Sequence, residues 1–181
     1  MNKIFDADTG VVVPDGTEVF EIFGPGTLAR KGFEVRDEQS LALGVLPAGI
    51  RSKVHVHPIV THLTYVLSGT LTVKMKDAST HAPYTLQVQQ GQSVFTAPGT
   101  FFQLINDSAS VCRVLYIVGP AFVFALNNDG SIFYNDQIVP DLSWEQLAEQ
   151  GWTIPELQDL PGIAAQRKQA LDNMKKEAIN G

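Results

Sequence analysis

Gly49-Ile-Arg51-Ser-Lys53-Val-His55-Val-His57-Pro58-Ile-Val-Thr-His62-Leu-Thr64-Tyr65-Val66-Leu-Ser68-Gly69 is the stretch on which the reading of this chain turns. Side chains alternate along a strand, so His55 and His57 project from one face. Pro58 has no N–H to give a ladder and turns the chain, which brings His62 back on the neighbouring strand. Three imidazoles then converge at the mouth of whatever the strands enclose. The chain has four histidines, and three of them fall in this stretch. A lone histidine is usually structural, but clustering at this spacing favours a ligand set. Neutral imidazole binds iron, nickel, copper, zinc and manganese alike, so the cluster suggests a divalent metal without choosing it. The remaining histidine, His81, lies in the polar stretch Asp77–Pro83 and reads as a loop residue.

Outward from this stretch, residues from about Val19 to Tyr134 form short β-branched and aromatic runs punctuated by Gly, Pro, Asn and Asp. Among them are Val19–Phe23, Leu41–Leu46, Lys53–His57, His62–Leu67, Leu71–Lys76, Phe101–Asn106 and Cys112–Val118. Many short strands without an intervening helical pattern predict an all-β sandwich or barrel. Tight turns are expected at Ser68-Gly69 and near Asp129-Gly130. After Pro140 the period becomes helical. Ser143 and Gln146 form a capping box, Leu142 and Leu147 stand at staple positions, and Gly151 suits a stop. A second helix is predicted from about Pro161 to Ala178, with Ile163, Ala170, Leu171, Met174 and Ala178 on one stripe. Residues 1–140 are thus assigned to the barrel and 141–181 to a helical appendage packed on it or on a partner.

The 181 residues are 44% hydrophobic and 18% charged, enough for one core without disulfides. A net charge of −6 argues against nucleic acid as a partner. Cys112 is the single cysteine and sits in an apolar run, where a buried small hydrophobe is expected. No apolar run is long enough to span a membrane and no secretory pattern opens the chain, so a cytoplasmic location and no membrane partner are expected.

The spacing Gly49-x5-His55-x-His57-x4-His62-x6-Gly69 resembles the first cupin motif, in which the His62 position is usually Glu. Gly91-x5-Ala97-Pro98-Gly99-Thr-Phe-Phe102-Gln103-Leu-Ile-Asn106 is similar to the second, in which the Phe102 position is usually His. The resemblance implies a double-stranded β-barrel of jelly-roll type with C-terminal α-helices. It also implies a divalent metal held by His55, His57 and His62, Fe(II) in first place and Zn, Ni or Mn as alternatives. A dioxygenase-like oxidoreductase, akin to cupin dioxygenases of β-diketones, flavonols or thiols, is the first functional expectation. The others are a zinc- or manganese-dependent lyase, isomerase or cyclase, and a small-molecule-binding cupin without turnover.

A one-residue slip would make Gln103 a fourth ligand, at the cost of a bulge. With no carboxylate in the motif, a small organic substrate that is anionic or chelating is expected. If the strand runs regularly back from His55, Arg51 and Lys53 share its face and stand nearer the mouth, where they would draw in an anion. Phe102, Leu104, Val66 and Val94 are candidates for an apolar wall, with Thr64, Tyr65, Tyr116 and Gln103 as polar groups within it. A homodimer is expected, since the N-terminal strands Val11–Phe23 and the C-terminal tail offer edges and apolar surface that cupins often bury.

Overall fold

Period-two alternation generates two sheets whose apolar inner faces close on each other. The computed structural model describes residues 4–7, 10–77 and 82–180, with side chains as far as residue 178; His81 lies outside them. Strands β1 (Gly10–Val12), β2 (Glu18–Phe23), β3 (Ser40–Leu46), β5 (Thr61–Ser68), β8 (Ser93–Thr96) and β10 (Cys112–Gly119) make a six-stranded sheet in the order β1-β2-β3-β10-β5-β8. Facing it are β4 (His55–Val56), β6 (Thr70–Lys76), β7 (Tyr84–Gln89) and β9 (Phe101–Ile105), in the order β4-β9-β6-β7. A separate hairpin joins β11 (Phe124–Leu126) to β12 (Ile132–Asn135). All sheet pairings are antiparallel. Between the sheets Leu46, Val66, Leu71, Val73, Phe102 and Val114 form one buried cluster. This is the jelly-roll arrangement expected.

The β5–β6 turn needs its glycine. Gly69 has φ of +86°, and a Cβ there would stand 3.1 Å from the Cα of Cys112. Cys112 is buried, as its apolar run predicts.

The C-terminal helices follow their sequence signals. Helix α2 (Trp144–Glu149) starts at Ser143 with the capping box formed in both directions. It buries Trp144 and Leu147 on the outer face of the four-stranded sheet, against Val54, Val56 and Phe101. Helix α3 (Leu160–Asn180) packs the predicted stripe against Val35, Val123 and Tyr134. Helix α1 (Pro25–Arg30) was not anticipated: six residues are too few to show a helical period, and burial of Thr27 and Leu28 holds it. Among the described residues no helix is long and apolar enough to cross a membrane.

Candidate functional site

The register puts the histidines inside the barrel. His55 on β4 pairs with Phe102 on β9, and His62 on β5 pairs with Thr96 on β8 and Val118 on β10. His55, His57 and His62 are 1%, 5% and 6% exposed, so the cluster belongs to the core and not to an open mouth. Its ring centroids lie 5.5 Å apart for His55 and His57 and 5.2 Å for His57 and His62. Phe102 stands among them, 4.0 Å from His55, 5.8 Å from His62, and stacked on His57 at 5.4 Å. Among the described residues no group of three or more His, Cys, Asp or Glu side chains is gathered to hold a metal ion.

Hydrogen bonding fixes the tautomers of two rings. The Nδ1 of His55 lies 3.0 Å from the Lys53 carbonyl, and the Nδ1 of His57 lies 3.0 Å from that of Asp136. A carbonyl only accepts, so each Nδ1 carries the proton and each Nε2 keeps its lone pair. His62 is different, because its buried Nδ1 has no partner among the described residues. Burial, followed by the charges of His62 and His55, holds His57 well below its ordinary value. Burial and His55 push His62 down to about 3. His55 is lowered by burial, with Asp15 opposing. At neutral pH all three are neutral imidazoles, the form that ligates metals.

Two acidic residues far from the motif in sequence serve this cluster. Asp15, 3% exposed in the turn between β1 and β2, places Oδ2 3.5 Å from His55 Nδ1. Its Oδ1 accepts from the backbone and hydroxyl of Thr17, and its carbonyl accepts from Lys53 N. Asp136 has a fully buried side chain that accepts from Val123 N, Tyr134 Oη and Arg167 Nε, while its carbonyl holds His57. Sequence reasoning missed both. The only available signal was an aspartate within an apolar context, which is a weak one.

Of the proposed lining, Thr64, Val66, Val94, Phe102, Leu104 and Tyr116 are buried on the inner side. Tyr116 fits because Gly44 faces it: a Cβ there would come within 2.5 Å of the ring. Its hydroxyl is buried without a partner among the described residues, and burial, then Asp15, raises its pKa far above the ordinary value. Four residues are not brought to the cluster. Gln103 lies on the outer face, donating Nε2 to the Ser52 carbonyl at 2.6 Å and accepting from Trp144 Nε1 at 2.9 Å. Regular pairing of β9 with β6 sets this, with Lys74 opposite Gln103, so the slip that would turn it inward is absent. Arg51 and Lys53 are exposed and paired with Asp107 and Asp141. The strand they were assigned to is shorter than expected, because Lys53 N bonds to the Asp15 carbonyl instead of continuing the ladder of β4. Tyr65 is exposed on the outer face of its sheet.

Comparison with known proteins agrees with this architecture. The model of the cupin domain matches residues 42–118, the segment running from β3 to β10. No curated protein matches the sequence. Among solved structures, the capsular polysaccharide assembling protein CapF from Staphylococcus aureus superposes with a TM-score of 0.52 at 12% identity, over 74% of this chain and 32% of CapF. An uncharacterized conserved protein with a double-stranded β-helix domain from Klebsiella pneumoniae gives 0.48 at 16% identity, over 66% of this chain and 91% of its own. TT1209 from Thermus thermophilus gives 0.46 at 21% identity, over 61% and 90%. At 12% identity the likeness to CapF concerns fold alone. Motif spacing, two-sheet topology and the domain match agree that residues 42–118 form a cupin domain.

Proposed function

We propose that this protein is a metal-dependent cupin whose ion is held by His55, His57 and His62 and whose substrate is a small anionic or chelating organic molecule. One observation carries the reading: three neutral imidazoles share the barrel interior, two with Nδ1–H fixed on carbonyls so that Nε2 carries the lone pair, and the third with a buried Nδ1 that has no partner among the described residues. An orphaned buried polar atom is costly. Fixed Nδ1–H groups are the usual support of ligating histidines. The donor chemistry therefore suits a divalent ion, although the rings are not drawn onto one point. Bound there, Fe(II) would leave positions for a bidentate substrate and supply electrons to dioxygen, whereas Zn, Ni or Mn would act as a Lewis acid.

An oxygenase is favoured over a lyase, isomerase or cyclase by what the chain offers for proton transfer. The histidines are held neutral and committed, and Tyr116 is pushed away from the range of a base. The Asp15 carboxylate is tied to Thr17. Neither His57, His62 nor Tyr116 is poised to exchange a proton near neutrality. A binding role without turnover is the second reading, favoured by the Phe102 ring packed among the histidines.

Metal analysis of protein purified without added metal, followed by titration of the stripped protein with Fe(II) and Zn(II), tests the proposal. One ion per chain, lost in each single His→Ala variant, is the expected result. Absence of uptake of either ion by the wild-type protein would sink it. Oxygen consumption with β-diketone, flavonol and thiol candidates then separates the oxygenase from the binding role.

A further inference from the structure

Helix α3 carries Ala164, Lys168, Leu171 and Lys175 at the i, i+4, i+7 and i+11 spacing that lines one side of a helix. Arg167 and Asp172 flank this row. With Asp37, from the segment before β3, and Ile59, from the link between β4 and β5, they enclose a cleft of about 310 Å³. Ile59 lies two residues after His57 and three before His62, so the cleft borders the link between two of the histidines. None of the histidines lines it.

The cations of this wall are not all satisfied from within the chain. Lys168 is paired with Asp172 at 2.8 Å. Lys175 is exposed and has no ion-pair partner among the described residues. Arg167 says more, because it is buried. Its Nε donates to Asp136 and its Nη2 to the Ala121 carbonyl, which leaves the two Nη1–H groups. The Asp37 carboxylate stands 4.0 Å from Nη1, beyond hydrogen-bond reach, and no hydrogen bond from Nη1 is formed among the described residues. Buried polar groups are rarely left without partners, so a guanidinium with spare donors on the wall of a cleft points to an acceptor that occupies the cleft.

We propose that this cleft binds a small organic monocarboxylate, one oxygen accepting from Arg167 Nη1 and the other facing the Lys175 ammonium. Arg167, Lys168 and Lys175 against Asp37 and Asp172 leave the lining one positive charge in excess, which a single carboxylate neutralises. A dianion such as phosphate meets more repulsion from the same two aspartates. The body of the acid is apolar, because Ile59, Ala164 and Leu171 supply the rest of the lining. The volume, at the small end for ligand pockets, restricts that body to a short chain. The site is independent of what the histidines bind.

Titration of the full, metal-free chain with isovalerate at constant ionic strength, followed through backbone amide NMR shifts, tests the site. Saturable shifts at Ile59 and Ala164 are expected, with inorganic phosphate and isopentanol each binding about tenfold more weakly or worse. Lys175→Glu, at an exposed position that leaves the fold intact by circular dichroism, should weaken isovalerate about tenfold or more. Lys176→Glu changes the net charge equally but lies outside the lining, and should leave binding unchanged. Equal losses in the two variants reduce the attraction to the general field of the helix and overturn the proposal. Phosphate binding as tightly as isovalerate overturns the ligand class. No saturable shift in the wild-type protein overturns the site, as do shifts at Thr96 and Phe102 in place of Ile59 and Ala164, which seat the acid among the histidines.

Discussion

His57 donates its Nδ1–H to the carbonyl of Asp136 at 3.0 Å, and the carboxylate of that same aspartate is gripped by Arg167 of α3 at 3.1 Å. The C-terminal helix is therefore joined to the barrel interior through one residue. Arg167 also bonds to the Ala121 carbonyl and is 8% exposed. Arg167→Leu would leave Asp136 buried without its cation, and breaking a buried pair in this way costs about 3–5 kcal/mol. Urea unfolding should show a loss of this order. Tyr134→Phe, which removes one hydrogen bond to the same carboxylate, should cost about 1.5–3 kcal/mol. Equal unfolding midpoints for Arg167→Leu and the wild-type protein would remove the pair from any structural role.

Asp15 bears on His55 as Asp136 bears on His57, but through its carboxylate, 3.5 Å from Nδ1. A carboxylate behind a ligating imidazole fixes its orientation and raises its basicity, and losing one typically weakens metal binding about 10–100-fold. Asp15→Asn keeps an acceptor for Thr17 while removing the charge. Competition with a chelator should show Zn(II) affinity falling by that factor, with the unfolding midpoint of the metal-free protein little changed. An unaltered affinity would restrict Asp15 to holding its turn.

The histidine set and the barrel were legible because they rest on local rules. Alternation puts His55 and His57 on one face, Pro58 turns the chain, and the capping box of Ser143 marks α2. Asp15 and Asp136 were not legible, since each reaches the cluster only through tertiary packing, one 40 and the other 79 residues from its histidine. Gln103 was a question of register, and only the pairing with Lys74 on β6 answers it. Arg51 and Lys53 were assigned by extending a strand that has just two residues, His55 and Val56.

Neutral buried histidines make the metal-free protein sensitive to acid. Because burial lowers their pKa, the unfolded chain takes up protons from about the ordinary value of 6.5 downward, while folded His62 resists until about 3. The unfolded state thus binds more protons in this window, and stability falls as pH falls through it. Each such group contributes a slope of about 1.4 kcal/mol per pH unit. Denaturant unfolding between pH 6 and pH 4 should therefore show stability declining with acid, and His62→Phe should flatten the slope by about one proton. An unchanged slope in that variant would mean that His62 titrates alike in the folded and unfolded chains.

Phe102 is the position where the chain departs furthest from the motif it matches, and it pairs across the sheet with His55. The phenyl ring is fully buried and cannot coordinate, so it fills space that a fourth donor could use. Phe102→His should have opposite effects in the two forms of the protein. Without metal, the smaller polar ring loses packing and leaves a buried nitrogen without a partner, at a cost of about 1–3 kcal/mol. With metal, a donor beside His55 and His57 should tighten Zn(II) binding about tenfold or more and recover that loss through ligand linkage. Paired melting curves, with and without Zn(II), read both effects at once. Should Phe102→His gain no affinity while Gln103→Ala abolishes it, β9 would have to slip by one residue when metal binds, turning Gln103 inward and away from Trp144.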